Sequence, residues 1–133
     1  LGILSVEQTA DLYRETDLGC VMMFTRHPSY LPFEFMACGC PVLTNINPAT
    51  TWFLKDGVNC MLTEASAACL ARNIERALLD EDGRWKIARH AAEQIARQHS
   101  NWRGELDHLY EFMCDTSRRR DLAPQTAFQS RAA

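Results

Sequence analysis

The fold is decided between positions 18 and 44, a stretch that opens with Leu18-Gly-Cys-Val-Met-Met-Phe24 and closes with Pro41-Val-Leu-Thr44. The first run is continuously apolar and has the length of a strand, which is typical of a strand covered on both faces in a parallel sheet. A polar loop and a short predicted helix at residues 31–38 separate the two runs, and Gly39 supplies a C-terminal stop for that helix. This strand–loop–helix–strand order predicts an α/β, Rossmann-like parallel sheet with flanking helices.

Further helices are predicted on both sides of this stretch. Ser5 followed by Gln8 is a capping-box signature for a helix that ends near Glu15. Downstream, apolar residues recur at helical spacing in three segments, at about residues 65–79, 83–98 and 101–114. A short third strand is expected at about residues 59–62, after the Asp56-Gly57 turn.

We expect the chain to be a piece of a longer protein, because it begins with Leu1 and offers three short strands where a doubly wound sheet has about five or six. A missing N-terminal portion of the same protein would then supply the other strands. In the fragment, the strand at residues 18–24 would form an uncovered edge, which is a template for pairing with another chain. A homodimer, a swapped assembly or poor solubility is therefore predicted for the fragment.

Charge and composition narrow the classes of function. The chain has 133 residues, of which 47% are hydrophobic and 23% charged, and a net charge of −3. Residues 116–133 hold four arginines and one aspartate, so residues 1–115 carry a net charge of −6. An acidic body without a basic stripe argues against a nucleic-acid-binding module. We predict one domain over residues 1–115 and a disordered basic tail over residues 116–133, with contact to an anionic membrane surface or a partner as the alternative for the tail.

The cysteines indicate the compartment. Six cysteines fall mostly inside apolar stretches, which is typical of reduced, buried residues in a cytoplasmic protein. Cys38-Gly39-Cys40 has neither the four ligands nor the two-residue spacing usual for structural zinc, so we expect no metal and no other cofactor. No apolar run approaches the roughly 18 to 20 residues that span a bilayer. The expected location is the cytoplasm, at the inner face of the membrane if the tail binds lipid.

The loop at residues 25–30 and the acid Glu34 form the candidate ligand site. In open parallel sheets, ligands bind beyond the carboxyl ends of the strands, where loops run into helix N-termini. Unpaired N–H groups in the first helical turn favour a phosphate at that position. Glu34 lies about one turn into the predicted helix, where a carboxylate can accept hydrogen bonds from two adjacent sugar hydroxyls. The alternative is that Glu34 only complements the helix dipole.

The order of short motifs resembles that of the retaining GT-B glycosyltransferases of family 4. Glu34-Phe-Met-Ala37, followed by Cys38-Gly39-Cys40-Pro41-Val42, matches the second half of a family pattern of glutamate, seven residues, glutamate and Ala-x-Gly-x-Pro-Val. Residues 2–17, Asp56-Gly57 and Ser100-Asn101-Trp102 resemble other family motifs, so the resemblance covers residues 1 to about 115. It implies the second half of a GT-B C-terminal domain, which binds a nucleoside-diphosphate sugar for transfer to an acceptor hydroxyl in polysaccharide or glycoconjugate synthesis.

The resemblance also implies roles for single residues. In that family the second glutamate binds the ribose of the nucleotide sugar, and this role carries over to Glu34. The preceding loop approaches the donor sugar and the pyrophosphate. That loop holds His27, Pro28, Ser29 and Tyr30.

The first glutamate of the family pattern falls at position 26, which is Arg26 here. This reversal of charge removes the carboxylate that the family uses to contact the donor hexose, and a guanidinium can instead pair with pyrophosphate oxygens. The alternative for both Arg26 and His27 is a solvated loop residue.

The same segment supports two more specific hypotheses about function. His27-Pro-Ser-Tyr30-x-Pro-x-Glu34 is similar to a rhamnosyltransferase branch of the family. Arg26 also keeps open a non-catalytic, glycosyltransferase-like assembly module. No catalytic residue is identified, and the fragment alone is expected to be inactive, because the family's acceptor site and upstream phosphate ligands lie in segments outside this chain.

Overall fold

The computed structural model describes residues 2–115, and the elements predicted from the sequence are confirmed there in type and order. The predicted tail at residues 116–133 lies outside the described residues. In chain order the elements are α1 (Val6–Arg14), β1 (Gly19–Val21), α2 (Leu31–Ala37), β2 (Val42–Asn45), β3 (Met61–Thr63), α3 (Ala67–Leu79), α4 (Glu81–Gln98) and α5 (Trp102–Cys114).

The chain divides into two compact units, residues 1–100 and the part from residue 101 onward. The single domain over residues 1–115 stays a prediction, and the second unit begins with α5. Its start is fixed by Asn101, whose side-chain oxygen accepts a hydrogen bond from the Gly104 N–H at 3.1 Å. Such a cap satisfies one of the N–H groups that the first helical turn leaves unpaired.

The sheet of the first unit is parallel, with the strands in the order β1-β2-β3. Its central strand, β2, is buried along its whole length, as expected for a strand covered on both faces. β1 is shorter than the predicted run at residues 18–24, because its pairing with β2 ends at Val21. The α/β class with a parallel sheet and flanking helices is therefore confirmed.

Helix α2 connects β1 to β2 and packs on both strands. β1 approaches this helix so closely that a Cβ atom on Gly19 would lie 2.9 Å from the ring of Phe35. The Phe35 ring in turn packs against Tyr13 of α1, with ring centroids 4.2 Å apart. A side chain at position 19 would thus push α2 away from the sheet. The core beside this contact combines Val21, Met23, Met36, Val42, Phe53, Leu54, Cys60, Ala91 and Ile95.

The predicted Asp56-Gly57 turn sets the start of β3. Gly57 adopts a φ of +68°, a conformation that favours glycine. A carboxylate oxygen of Asp56 accepts a hydrogen bond from the Leu62 N–H at 2.8 Å. The buried amide of Asn59 donates to the side chain of Gln94 at 2.9 Å and thereby ties this turn to α4.

No helix within residues 2–115 is both long and apolar enough to cross a membrane.

One edge of β1 carries no strand among the described residues. The Gly19 N–H donates to the Pro41 carbonyl on the β2 side at 2.8 Å. Successive residues of a parallel strand bond to opposite sides, so the N–H and C=O of Cys20 point away from β2. An unpaired edge of this kind can template the addition of another strand.

We predict that the isolated 133-residue chain self-associates through this edge and that Cys20→Pro reduces the association. Proline removes the outward N–H donor but leaves the hydrogen bonds to β2 in place. Light scattering over a range of concentrations, under reducing conditions, measures the effect. Cys20→Ala keeps the donor and should associate like the wild type. A wild-type chain that stays monomeric at every concentration would contradict the prediction.

Candidate functional site

An open cleft lies where β1 and β2 end. Its volume is about 630 Å³, which falls within the roughly 300–1,000 Å³ typical of small-molecule sites. The lining comes from residues 23–26 after β1, residues 45–49 at the end of β2, and Ala65. Arg26 is the charged residue of this lining, and no hydrogen bond or ion pair engages its exposed guanidinium in the described part of the chain. The cleft therefore presents an available positive charge.

A second depression shares part of the same loop. It has a volume of about 520 Å³ and is lined by residues 22–25 and 27–30. The shared residues are Met23, Phe24 and Thr25, so the loop after β1 forms a wall of both spaces. The structure thus places Arg26 on the cleft and the other four predicted loop residues, His27, Pro28, Ser29 and Tyr30, on this second depression.

The start of α2 uses most of its own N–H groups. The Ser29 hydroxyl accepts a hydrogen bond from the Leu31 N–H at 3.2 Å, and the Tyr30 carbonyl accepts one from the Glu34 N–H at 3.0 Å. Pro32 has no N–H to offer. Of helix positions 31–34, only Phe33 therefore keeps an unpaired N–H among the described hydrogen bonds. The start of α2 therefore offers one free N–H group to an anion, whereas Arg26 offers a full positive charge.

Glu34 is exposed and lines neither depression. Burial, and after it the negative charge of Glu34, raise the pKa of Tyr13. The Tyr13 ring packs against Phe35, the residue that follows Glu34 in α2. Residues 26–30 thus lie together in the loop after β1. Glu34 lies one helical turn beyond Tyr30, on the exposed surface of α2.

Sequence reasoning missed two buried asparagines at the end of β2. Asn45 and Asn47 line the cleft, and their side chains bond to the backbone of Met23 and Thr25 in the opposite loop. The available signal was their position, since polar amides directly at the end of a buried strand need partners.

The Cys38-Gly39-Cys40 segment is a turn between α2 and β2. Gly39 has a φ of +75°, Cys38 ends α2, and Cys40 is buried with its Sγ 3.4 Å from the Thr16 carbonyl oxygen. Burial raises the pKa of the Cys40 thiol to about 11 and that of Cys60 to about 12. No group of three or more potential metal-binding side chains occurs within residues 2–115.

Comparisons with known proteins identify a family and several proteins that this chain resembles. Residues 1–75 match the family described as "WsaF, C-terminal domain". The O-antigen biosynthesis protein RfbC of Myxococcus xanthus is 41% identical over 116 residues, which make up 87% of this chain. The chain spans only 9% of the length of that relative.

Solved structures with a similar fold include the following two. Sucrose-phosphate synthase from Thermosynechococcus elongatus superposes with a TM-score of 0.77 at 21% identity, over 86% of this chain and 29% of that one. HepE from Anabaena, solved in complex with UDP-glucose, gives a TM-score of 0.57 at 25% identity, over 65% of this chain and 24% of that one.

We predict that Cys40 and Cys60 resist iodoacetamide near pH 8, whereas the exposed Cys114 reacts, because the thiolate is the nucleophile and burial raises the pKa of both buried thiols. Mass spectrometry of the labelled peptides measures this. Labelling of Cys40 should rise toward pH 11, before that of Cys60.

The raised pKa of the Cys40 thiol makes the folded state less stable in alkali. An unfolded thiol ionises near pH 9 while the folded Cys40 thiol stays protonated. The contribution of this thiol to the stability of the fold is therefore complete below pH 9 and declines as the pH rises toward 11.

In the labelling experiment, unfolding the chain in urea should abolish the protection of Cys40 and Cys60. Equal labelling of Cys40 and Cys114 in the folded chain at pH 8 would show that burial does not control these thiols.

Proposed function

Because this chain belongs to the WsaF C-terminal domain family, we propose that it forms the donor-binding part of a glycosyltransferase, which binds a nucleoside-diphosphate sugar for transfer to an acceptor hydroxyl. The observation that carries the proposal is the cleft at the carboxyl ends of β1 and β2, with Arg26 on its lining. HepE, whose fold is similar, was solved with UDP-glucose. The relationship to RfbC favours polysaccharide or glycoconjugate synthesis as the process.

Arg26 is the proposed contact to the diphosphate. A guanidinium can bind two phosphate oxygens at once through parallel N–H groups, and it stays charged at every physiological pH. Among the described residues, the cleft lining holds no acidic side chain that would repel an anion. His27 and Ser29 add polar groups on the other side of the loop, and Pro28 and Tyr30 complete that wall.

Glu34 is the proposed contact to the ribose. Its ionised carboxylate offers two oxygens that accept hydrogen bonds from the neighbouring ribose hydroxyls. The backbone hydrogen bond between Glu34 and Tyr30 places the two residues one helical turn apart. A donor that extends from the loop across the first turn of α2 would therefore meet the loop with its phosphates and Glu34 with its ribose.

We place the reaction with the retaining enzymes of glycosyltransferase family 4. Catalysis then consists mostly of positioning the sugar and stabilising the departing diphosphate, a task that suits a free arginine. The His27-Pro28-Ser29-Tyr30 sequence favours the rhamnosyltransferase-like branch. Groups that bind the acceptor are expected outside these 133 residues, so the chain alone should be inactive.

A non-catalytic assembly module is the second candidate. It is favoured by a single observation, the arginine at position 26 where the family pattern has a glutamate. In that case the fold serves only as a scaffold and binds no nucleotide.

We predict that the natural-length protein binds at least one of UDP, GDP and dTDP and that Glu34→Ala weakens this binding about tenfold or more, as expected for the loss of hydrogen bonds to a charged group. Isothermal titration calorimetry measures the affinities. Glu75→Ala, which removes an exposed glutamate from α3, should bind like the wild type. Unchanged binding in Glu34→Ala would refute the ribose contact, and the absence of binding by any diphosphate would favour the assembly module.

Arg26→Ala should weaken binding of the same diphosphate by about tenfold, and Arg26→Glu should weaken it further, because a carboxylate repels the phosphates. Raising the salt concentration should reduce the affinity of the wild type more than that of Arg26→Ala. Salt screens the attraction between Arg26 and the diphosphate, and the variant lacks this attraction. Arg89→Ala, at an exposed position of α4, is the matched control. If Arg26→Glu binds as tightly as the wild type, Arg26 does not contact the diphosphate.

A further inference from the structure

The loop after β1 stays tied to β2 beyond the last backbone pair of the two strands. Backbone pairing ends at Val21 and Thr44. The Asn45 side-chain oxygen then accepts a hydrogen bond from the Met23 N–H at 2.6 Å, and its Nδ2 donates to the Met23 carbonyl at 2.9 Å. The amide thus takes the place of a backbone partner. The Asn45 side chain thus spans the distance between the loop and the end of β2, and both of these segments line the cleft.

Asn47 continues this attachment. Its Nδ2 donates to the Met23 carbonyl at 3.1 Å and to the Thr25 carbonyl at 2.9 Å, while its Oδ1 accepts a hydrogen bond from the Ala49 N–H at 2.9 Å. Thr25 directly precedes Arg26. The amide therefore fixes the backbone that carries the cation of the cleft.

Both amides spend their donors inside the protein. A primary amide has two N–H donors, and those of Asn47 go to the two loop carbonyls. The second donor of Asn45 goes to the Ile46 carbonyl at 3.3 Å. The exposed fractions are only 4% for Asn45 and 6% for Asn47. Since no donor is left for a ligand, these residues act on the loop and do not contact a ligand with their N–H groups.

We propose that Asn47, supported by Asn45, is a positioning residue that holds residues 23–26 in the shape that binds the donor diphosphate. The inference rests on the proposed function, because the loop it fixes carries the proposed donor contacts. Asparagine is suited to this role, since one side chain satisfies two carbonyls and one N–H at once. Aspartate would keep the bond to Ala49 but lose both donors and bring a negative charge to two carbonyl oxygens.

The test compares Asn47→Ala and Asn47→Asp with Thr50→Val in the natural-length protein. Thr50 is a matched control, because it is equally buried and its hydroxyl donates to the Asn47 carbonyl at 3.0 Å. Its loss weakens the same turn but leaves the side-chain bonds from Asn47 to the loop. Two measurements are made: calorimetry with UDP, GDP and dTDP, and hydrogen exchange of residues 22–30 without ligand.

Both Asn47 variants should exchange the loop amides faster and bind the preferred diphosphate at least about tenfold more weakly. Thr50→Val should keep the affinity and the loop exchange of the wild type, even if its melting temperature falls as far as that of the Asn47 variants. If Asn47→Ala does not fold, Asn47→Asp decides, since it retains the bond to Ala49.

Unchanged loop exchange and affinity in the Asn47 variants would overturn the inference, and so would an equal loss of affinity in Thr50→Val. If the wild type binds none of the three nucleotides, the proposed function fails, while the exchange of residues 22–30 still shows whether Asn47 holds the loop.

Discussion

The short parallel ladder between β1 and β2 brings the candidate site together. Parallel strands run in the same direction, so both end at the same edge of the sheet and need a crossover such as α2 between them. The loop that leaves β1 and the residues that leave β2 therefore emerge side by side. Arg26 comes from the first and the two asparagines come from the second.

Exposure separates two kinds of residue in and beside the loop that follows β1. Arg26, Tyr30 and Glu34, which we propose as donor contacts, are exposed. Loops on a rigid scaffold disproportionately carry binding residues. The asparagines that hold the loop are buried, and their bonds replace the water that a surface amide would use. The close fit of Gly19 against Phe35 also contributes to the position of the loop, because it lets α2, which follows the loop, pack directly against β1.

Periodicity and turn residues predicted the helices and strands, since these signals depend on neighbours a few positions apart. The length of β1 could not be predicted in this way. Residues 22–24 are as apolar as residues 19–21, yet Met23 is buried against a side-chain amide and Phe24 is 77% exposed. Apolarity records where a chain prefers burial, and not where its backbone stops pairing.

The sequence by itself determined the α/β class, the order of the elements and the position of the loop at residues 26–30, because each depends on local patterns and on the rule that strand ends carry ligand loops. Only the tertiary structure decided that residues 26–30 face two spaces that share one loop, and that Glu34 lies outside both of them. It also decided which groups the two asparagines bond to. Their hydrogen bonds join residues more than twenty positions apart, and such bonds exist only after the sheet has brought the two segments together.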